Sequence, residues 1–484
     1  MISATLQASV SEEFSEAELG DSRRSDRMMA LVDKLSQDPG ASFPTVLDDA
    51  AELEAFYRFV NNDGFDAFEM LTPHIERTLT RAQAAGEIVV VHDTTTFDYS
   101  SMREGLGATS GKNHRGFLAH VVFAISADDA RTPLGTLHLE TYSRSGKKNG
   151  RRSTSPRAAR SDGERESLRW CRGVEAVEEL RNNSFRAIHV MDAEADFFEL
   201  LARMTGERVR FVVRGGQLDR TVSGGGGEQS LREVLDGLQP AIWREIDLSE
   251  RKDRGRARPR NQKRRHPPRG ARVARVAIAS TEIRLPRTRY CNVDVADIRM
   301  NVVRVWEPDP PRDESRVEWV LFTSEPISNA KEIECVVDRY RQRWMIEEFF
   351  KALKTGCALE KRQLESYDAL CKVLALFIPI AHRLLLLRSV EHQQPDAPAS
   401  IAFTSTELLL LARAPATRRL GPPRTVAEAL SMLARLGGHL KHNGRPGWLT
   451  LARGFEKLLT YRIGYEIGRP SNAATESRER SDQS

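Results

Sequence analysis

Asp93 and Asp192 each follow an apolar, β-branched run: Ile88-Val89-Val90-Val91 before the first, Phe185 to Met191 before the second. Strand ends in an α/β sheet are where ligands and reacting groups collect. An aspartate also favours turns and caps for purely local reasons, so neither residue decides alone. Two hard carboxylates together suit Mg²⁺ or Mn²⁺. A third acid lies in the segment Tyr340-Arg341-Gln342-Arg343-Trp344-Met345-Ile346-Glu347-Glu348-Phe349-Phe350-Lys351-Ala352-Leu353-Lys354. On one helix at ~100° per residue, Tyr340, Arg343, Glu347 and Lys354 share an arc of roughly 60°, and Glu348 falls outside it. A carboxylate, two cations and a phenol on one stripe can hold a metal and the phosphate beside it. The same stripe can also be a solvated face with an intrahelical Arg343–Glu347 pair. Two aspartates from strands and a glutamate from a later helix form the set that phosphodiester transfer needs. Two cations ~4 Å apart activate the attacking oxygen and stabilise the leaving one, while Arg and Lys hold the phosphates.

The elements that must position these residues are legible in the pattern. Residues 12–72 read as helical, with breakers at Pro39-Gly40, Pro44 and Asn61 to Gly64. A strand over Ile88–Val91 ends at His92-Asp93-Thr94-Thr95, and strands follow at Leu118–Ile125 and Gly135–Tyr142. A polar loop spans 145–165, a helix Glu166–Leu180, and a strand leads to Asp192. This order predicts an α/β core. Residues 208–325 alternate and are β-branched (Arg208–Arg214, Ala241–Leu248, Ala271–Arg287, Val293–Trp306, Val317–Thr323), which predicts an antiparallel insertion without long helices. Helix returns from Ala330 to about Lys354, then over 367–392 and 405–465, and the tail from Arg469 reads as disordered.

Composition bounds the class. The chain has 484 residues, 40 % hydrophobic and 29 % charged, enough for several domains with sizeable cores. The longest apolar stretch, Val373 to Ala381, is shorter than the ~20 residues of a membrane span, and the N-terminus does not read as a signal peptide. Five scattered cysteines fit a reducing cytoplasm better than a disulfide framework. The net charge of +5 is carried by one arm: residues 251–275 hold twelve Arg or Lys and one Asp, leaving 61 basic and 67 acidic residues elsewhere. Such a block points to a polyanion. Gly105 to Asn113 imitates a phosphate loop but lacks its spacing and its hydroxyl. No zinc-ligand spacing or hydrolase elbow is present.

With these residues in place, the sequence resembles bacterial insertion-sequence transposases of the DDE superfamily carrying the Tyr-x₂-Arg-x₃-Glu-x₆-Lys signature. Tyr340, Arg343, Glu347 and Lys354 meet the spacing, Asp93-Thr94-Thr95 matches the first acidic motif, and Asp192-Ala193-Glu194-Ala195-Asp196 matches the second. Further similar stretches, from Leu19-Gly20-Asp21 to Ala434-Arg435-Leu436-Gly437-Gly438, extend the resemblance over nearly the whole chain. The resemblance implies a ribonuclease-H-like catalytic core with an antiparallel β insertion, flanked by helical domains. The expected parts are an end-binding domain over 1–75, a catalytic domain over 76–385 with its insertion at about 208–325, a dimerisation domain over 386–468, and a tail over 469–484. It implies that Asp93, Asp192 and Glu347 are catalytic and metal-binding, with two Mg²⁺ or Mn²⁺ ions. Tyr340, Arg343, Lys354, Lys351 and Arg214 are implied to hold DNA, and Trp319 to stack a flipped base along a hairpin route, although Trp319 also reads as a core residue of its strand. The implied partners are transposon-end and target DNA and a second copy of the chain, in a bacterial cytoplasm at the nucleoid. The family usually has a basic residue where Ala193 stands. A non-mobilising nuclease or a domesticated DNA-binding protein on the same fold is the rival reading.

Overall fold

The computed structural model describes residues 9–47, 49–99, 103–109, 114–144, 165–224, 227–248, 250, 269–288, 291, 293–312, 314, 316–440 and 446–468. Most of the expected 145–165 loop, residues 251–268 of the basic arm, Ser110 to Asn113 of the glycine-rich segment and the tail from Arg469 fall outside the described residues.

The N-terminal part is helical, with α1 (Ser22–Gln37), α2 (Ala50–Val60) and α3 (Ala67–Ala85). Each begins at an aspartate, Asp21, Asp49 or Asp66, whose carboxylate accepts a backbone N–H of the first turn. Gly86, at φ 73°, ends α3 and turns the chain into the sheet. The expected boundary at 75/76 therefore falls inside one continuous helix.

The described residues form one twelve-stranded sheet. Its core is β1 (Glu87–Tyr99), β3 (Arg115–Ser126), β4 (Pro133–Tyr142), β5 (Arg186–Met191) and β6 (Phe211–Arg214), with β2 (Gly107–Ala108) on the rim. The order is β4-β3-β1-β5-β6, antiparallel across β4, β3 and β1 and parallel across β1, β5 and β6. That is the expected ribonuclease-H-like arrangement. Ile88 to Val91 are fully buried because helices cover both faces: Val89 and Val91 join the main core, Ile88 and Val90 a second one. Helix α4 (Arg169–Arg181) lies over one face, and α5 (Phe198–Gly206) follows β5.

Three expectations need correction. The first strand does not end at Asp93. It runs on to Tyr99, paired with β3 as far as Arg115, whereas its parallel partner β5 leaves after Val91. Arg208–Arg214 does not open the insertion either: Phe211–Arg214 is the last parallel strand of the core. The insertion is β7 (Thr221–Gly224), β8 (Gly227–Ser230), β9 (Ile242–Leu248), β10 (Arg272–Pro286), β11 (Asp297–Trp306) and β12 (Glu318–Thr323), and it extends the core sheet because β12 pairs with β6. Finally, the expected helix from Ala330 to Lys354 is divided into α6 (Ala330–Gln342), α7 (Trp344–Lys351) and a π-turn (Ala352–Gly356).

Helix α8 (Tyr367–Gln393) crosses the core and runs past the expected 385/386 boundary. It is long and apolar enough to span a membrane, but nearly all of its apolar stretch is buried within the protein. Helices α9 (Ser405–Arg413), α10 (Val426–Leu436) and α11 (Trp448–Ile467) complete the C-terminal part around their own core.

Candidate active site

Asp93 sits in β1 just past the point where β5 departs, so no strand covers that edge. Asp192 follows the last residue of β5 and caps a short turn, accepting the Glu194 N–H at 2.8 Å. The capping role and a place in the site therefore coexist. The helical acid is tied to Asp93 through Arg343. Its guanidinium donates to Asp93 Oδ2 at 3.0 Å and to Glu347 Oε1 at 2.5 Å, joining residues 250 positions apart in sequence.

The break at Arg343 and the π-turn alter the expected stripe without dispersing it. Arg343 N–H bonds to Tyr340 O and Ile346 N–H to Arg343 O, three-residue closures that tighten the chain between α6 and α7. Cys357 N–H bonds to Ala352 O, a five-residue closure, so uniform 100° steps fail beyond Lys351. Lys354, within that turn, donates to Thr96 O at 2.5 Å and lies 5.3 Å from the Phe97 ring centroid. It still faces β1, three residues beyond Asp93. Glu348 points elsewhere: it binds Lys351 at 2.6 Å, Trp448 Nε1 at 3.2 Å and Arg388 at 3.5 Å, tying α7 to the C-terminal helices.

The remaining expected residues divide. Tyr340 is buried, and its ring lies 6.0 Å from that of half-buried Trp319 on β12, at 55°. Arg214 ends β6 and reaches Glu318 O at 3.5 Å, beside Trp319. Lys351 is not brought to the acids: it pairs with Glu348 and lies over the Trp344 ring at 4.9 Å.

Arg169, which the sequence did not single out, and Asp196, the last residue of the second acidic motif, hold these segments in place. Buried Arg169, on α4, donates to Thr94 Oγ1 at 2.8 Å and to Glu194 Oε2 at 2.5 Å, linking the segments of Asp93 and Asp192. Asp196, fully enclosed, accepts the Gly216 and Gln217 N–H groups and pairs with Arg220, fixing the chain that leaves β6. Nothing in the spacing marks Arg169, since its partners lie 75 and 25 residues away.

Burial pushes the Asp93 carboxyl up to about 7, and Asp192 and Glu347 add to the rise. Arg343 and the Thr94 N–H oppose it. Burial would lower the Arg343 pKa, but Tyr340, Asp93 and Glu347 raise it further, so its charge is secure. Asp93, buried and facing two further carboxylates, calls for more positive charge than one guanidinium supplies. Among the described residues no three acidic, histidine or cysteine side chains are gathered closely enough to hold a metal as they stand. Arg343 now bridges two of the acids, in the manner of a cation. The donor set, all carboxylate oxygen, fits a hard divalent ion.

Two family matches cover parts of the chain on either side of Asp93, which lies outside both. Residues 7–65 match the transposase DNA-binding family, and residues 173–378, which include Asp192, the insertion and Glu347, match the transposase DDE domain family. That domain is ribonuclease-H-like, which the strand order matches, and it implies dependence on divalent metal. The chain belongs to the insertion-sequence DDE transposases and is a metal-dependent DNA endonuclease and strand transferase.

Proposed function

We propose that this transposase moves DNA by a cut-and-paste route, with Asp93, Asp192 and Glu347 as its catalytic carboxylates. The observation that carries this reading is the Arg343 bridge, which brings the helical Glu347 to the strand Asp93. The three acids would hold two divalent cations, Mg²⁺ or Mn²⁺, which when bound activate a water or 3′-hydroxyl and stabilise the leaving oxygen. Arg343, freed from its carboxylates, would turn to a DNA phosphate. Tyr340 and Lys354 would hold the strand along β1, with Arg214 and Lys351 adding positive charge on its flanks.

The tilted pair of Trp319 and Tyr340 supports a hairpin step, in which the freed 3′-hydroxyl attacks the opposite strand. Half-buried Trp319 keeps part of its indole free to receive a flipped base. Two copies would act together through the C-terminal part, 386–468. Leu449, Ile463 and Ile467 are exposed on one side of α11 and would serve such a contact. Residues 1–75 would read the transposon end, and the arginine-rich arm would add sequence-independent affinity. The five unpaired cysteines accord with a reducing cytoplasm, where the chain would work at the nucleoid.

The test separates binding from chemistry. Asp93→Asn and Asp192→Asn should abolish Mg²⁺- or Mn²⁺-dependent end cleavage while leaving the gel shift on the end sequence intact. Cleavage at the native rate in either variant would refute the assignment.

A further inference from the structure

Beneath Asp93, on the face of the sheet covered by α4, lies a buried layer of polar side chains that the chemistry above does not use. His92, His120 and His189 come from β1, β3 and β5, and all are fully enclosed. They form two partial chains. On one side, His189 Nε2 lies 3.1 Å from Glu178 Oε1 and His189 Nδ1 lies 2.8 Å from His92 Nε2. On the other, His120 Nδ1 lies 3.0 Å from Thr94 Oγ1, which accepts from Arg169 Nε at 2.8 Å.

The chains stop facing each other. His92 Nδ1 and His120 Nε2 are buried and have no hydrogen-bond partner. A buried polar atom without a partner has lost its hydration and gained nothing in return, so two of them at one place call for an explanation. Both point toward Gly173 on α4: a Cβ built there would stand 3.2 Å from each nitrogen. The glycine leaves a small polar hollow between them, and a buried water needs two to four polar partners.

Proton bookkeeping gives the chain a direction. The Glu178 carboxylate can only accept, and Arg181 already meets its charge. His189 donates to it from Nε2, and in the Nε2–H tautomer its Nδ1 accepts from His92 Nε2–H. His92 and His120 touch no carboxylate and are too enclosed to carry an uncompensated charge. His92 Nδ1 is then a bare acceptor. Thr94 Oγ1 accepts from Arg169 and donates to His120 Nδ1, which leaves His120 Nε2–H as a bare donor. One donor and one acceptor face the same hollow.

We propose that a single water molecule binds beside Gly173, accepts from His120 Nε2–H, donates to His92 Nδ1, and closes a one-way hydrogen-bond chain from Arg169 to Glu178. The chain crosses β3, β1 and β5 directly under Asp93. It makes His92, His120 and Thr94 positioning residues for that strand, and Arg169 carries the link on to Glu194 in the second acidic motif.

Two measurements on the native protein test the site itself. A high-resolution crystal structure should show one water within hydrogen-bond distance of His92 Nδ1 and His120 Nε2. An empty hollow, or a peak with a transition metal's anomalous signal, would overturn the proposal. Long-range ¹⁵N–¹H spectra of ¹⁵N-histidine-labelled protein should show neutral Nε2–H tautomers at His92, His120 and His189, whereas an Nδ1–H tautomer at His120 would break the direction of the chain. The catalytic arm rests on Asp93 as a ligand. Gly173→Ala, which fills the hollow, should slow single-turnover cleavage by about 10- to 100-fold at unchanged end binding and shift the His92 and His120 nitrogen signals. Shifted signals with an unchanged rate would refute the positioning role alone, and unmoved signals would refute the water site.

Discussion

Glu13 and Asp93 are both largely buried carboxylates facing an arginine, yet their surroundings pull them in opposite directions. Glu13, in the N-terminal part, meets only donors: His74 Nδ1 at 2.6 Å and Arg81 Nη1 at 2.6 Å. His74 Nε2 accepts the Thr136 N–H of β4, so its Nδ1 carries the proton that it gives to Glu13. Burial would raise the Glu13 pKa, but His74 and Arg81 outweigh it and hold the carboxyl well below its usual range. Asp93 has one arginine, shared with Glu347, and two carboxylate neighbours, and it is held up to about 7. A carboxylate surrounded by donors fastens the fold, here by pinning the N-terminal segment to α3 and β4. A carboxylate held up by burial and by two further acids, with one shared arginine against them, weakens the fold.

That contrast can be broken by substitution. Glu13→Gln leaves Arg81 buried without its counter-charge and should cost about 3–5 kcal/mol of stability, measured by denaturant unfolding. A loss under 1 kcal/mol would mean that the cluster is ornamental. Its pH dependence has a definite sign. The folded pKa is depressed, so the contribution is present above about 4.5, the unfolded value, and is lost as pH falls toward the folded one.

Asp93→Asn should act the other way in metal-free protein. The folded pKa is raised, so the penalty is absent below the unfolded value of 3.8, grows as pH rises to about 7 and is constant beyond. The variant should be more stable than the native protein by roughly 2–4 kcal/mol at pH 8 in chelator. The gain should shrink on acidification. Equal stability at pH 8 would mean that the acids do not strain one another. A smaller effect is expected at Trp319, where Trp319→Ala should depress hairpin formation by the ~1–3 kcal/mol of one stacked base and leave first-strand nicking nearly native. Equal loss at both steps would make Trp319 a packing residue.

The sequence reveals the two regions unequally. The apolar runs before Asp93 and Asp192 mark their strands because both faces of β1 and β5 are covered there. The continuation of β1 through Thr94 to Tyr99 escapes notice because it pairs on one side only and opens with three polar residues, Thr94 to Thr96. The stripe of Tyr340, Arg343, Glu347 and Lys354 keeps Arg343, Glu347 and Lys354 beside β1, although the helix carrying them is divided at Arg343 and loosened in the π-turn. The division at Arg343 has no glycine or proline to announce it, and the π-turn carries only its closing Gly356. Arg169 and the Glu13 cluster are invisible in the sequence because their partners meet only in the folded chain, and Asp196 shows there only as the end of its motif.

The division of labour between neighbouring acids gives the most direct test of the site. Glu347 bonds the arginine that holds Asp93, whereas Glu348 bonds Lys351, Arg388 and Trp448 on the side of the C-terminal helices. Single-turnover cleavage of a labelled transposon end would be measured for Glu347→Gln and Glu348→Gln at matched DNA occupancy. Loss of a metal-binding carboxylate should lower the Glu347→Gln rate by orders of magnitude, and Glu348→Gln should stay within about tenfold of native. A dead Glu348→Gln beside an active Glu347→Gln would contradict the assignment of Glu347 and, with it, the bridge from α7 to Asp93 as the frame of the active site.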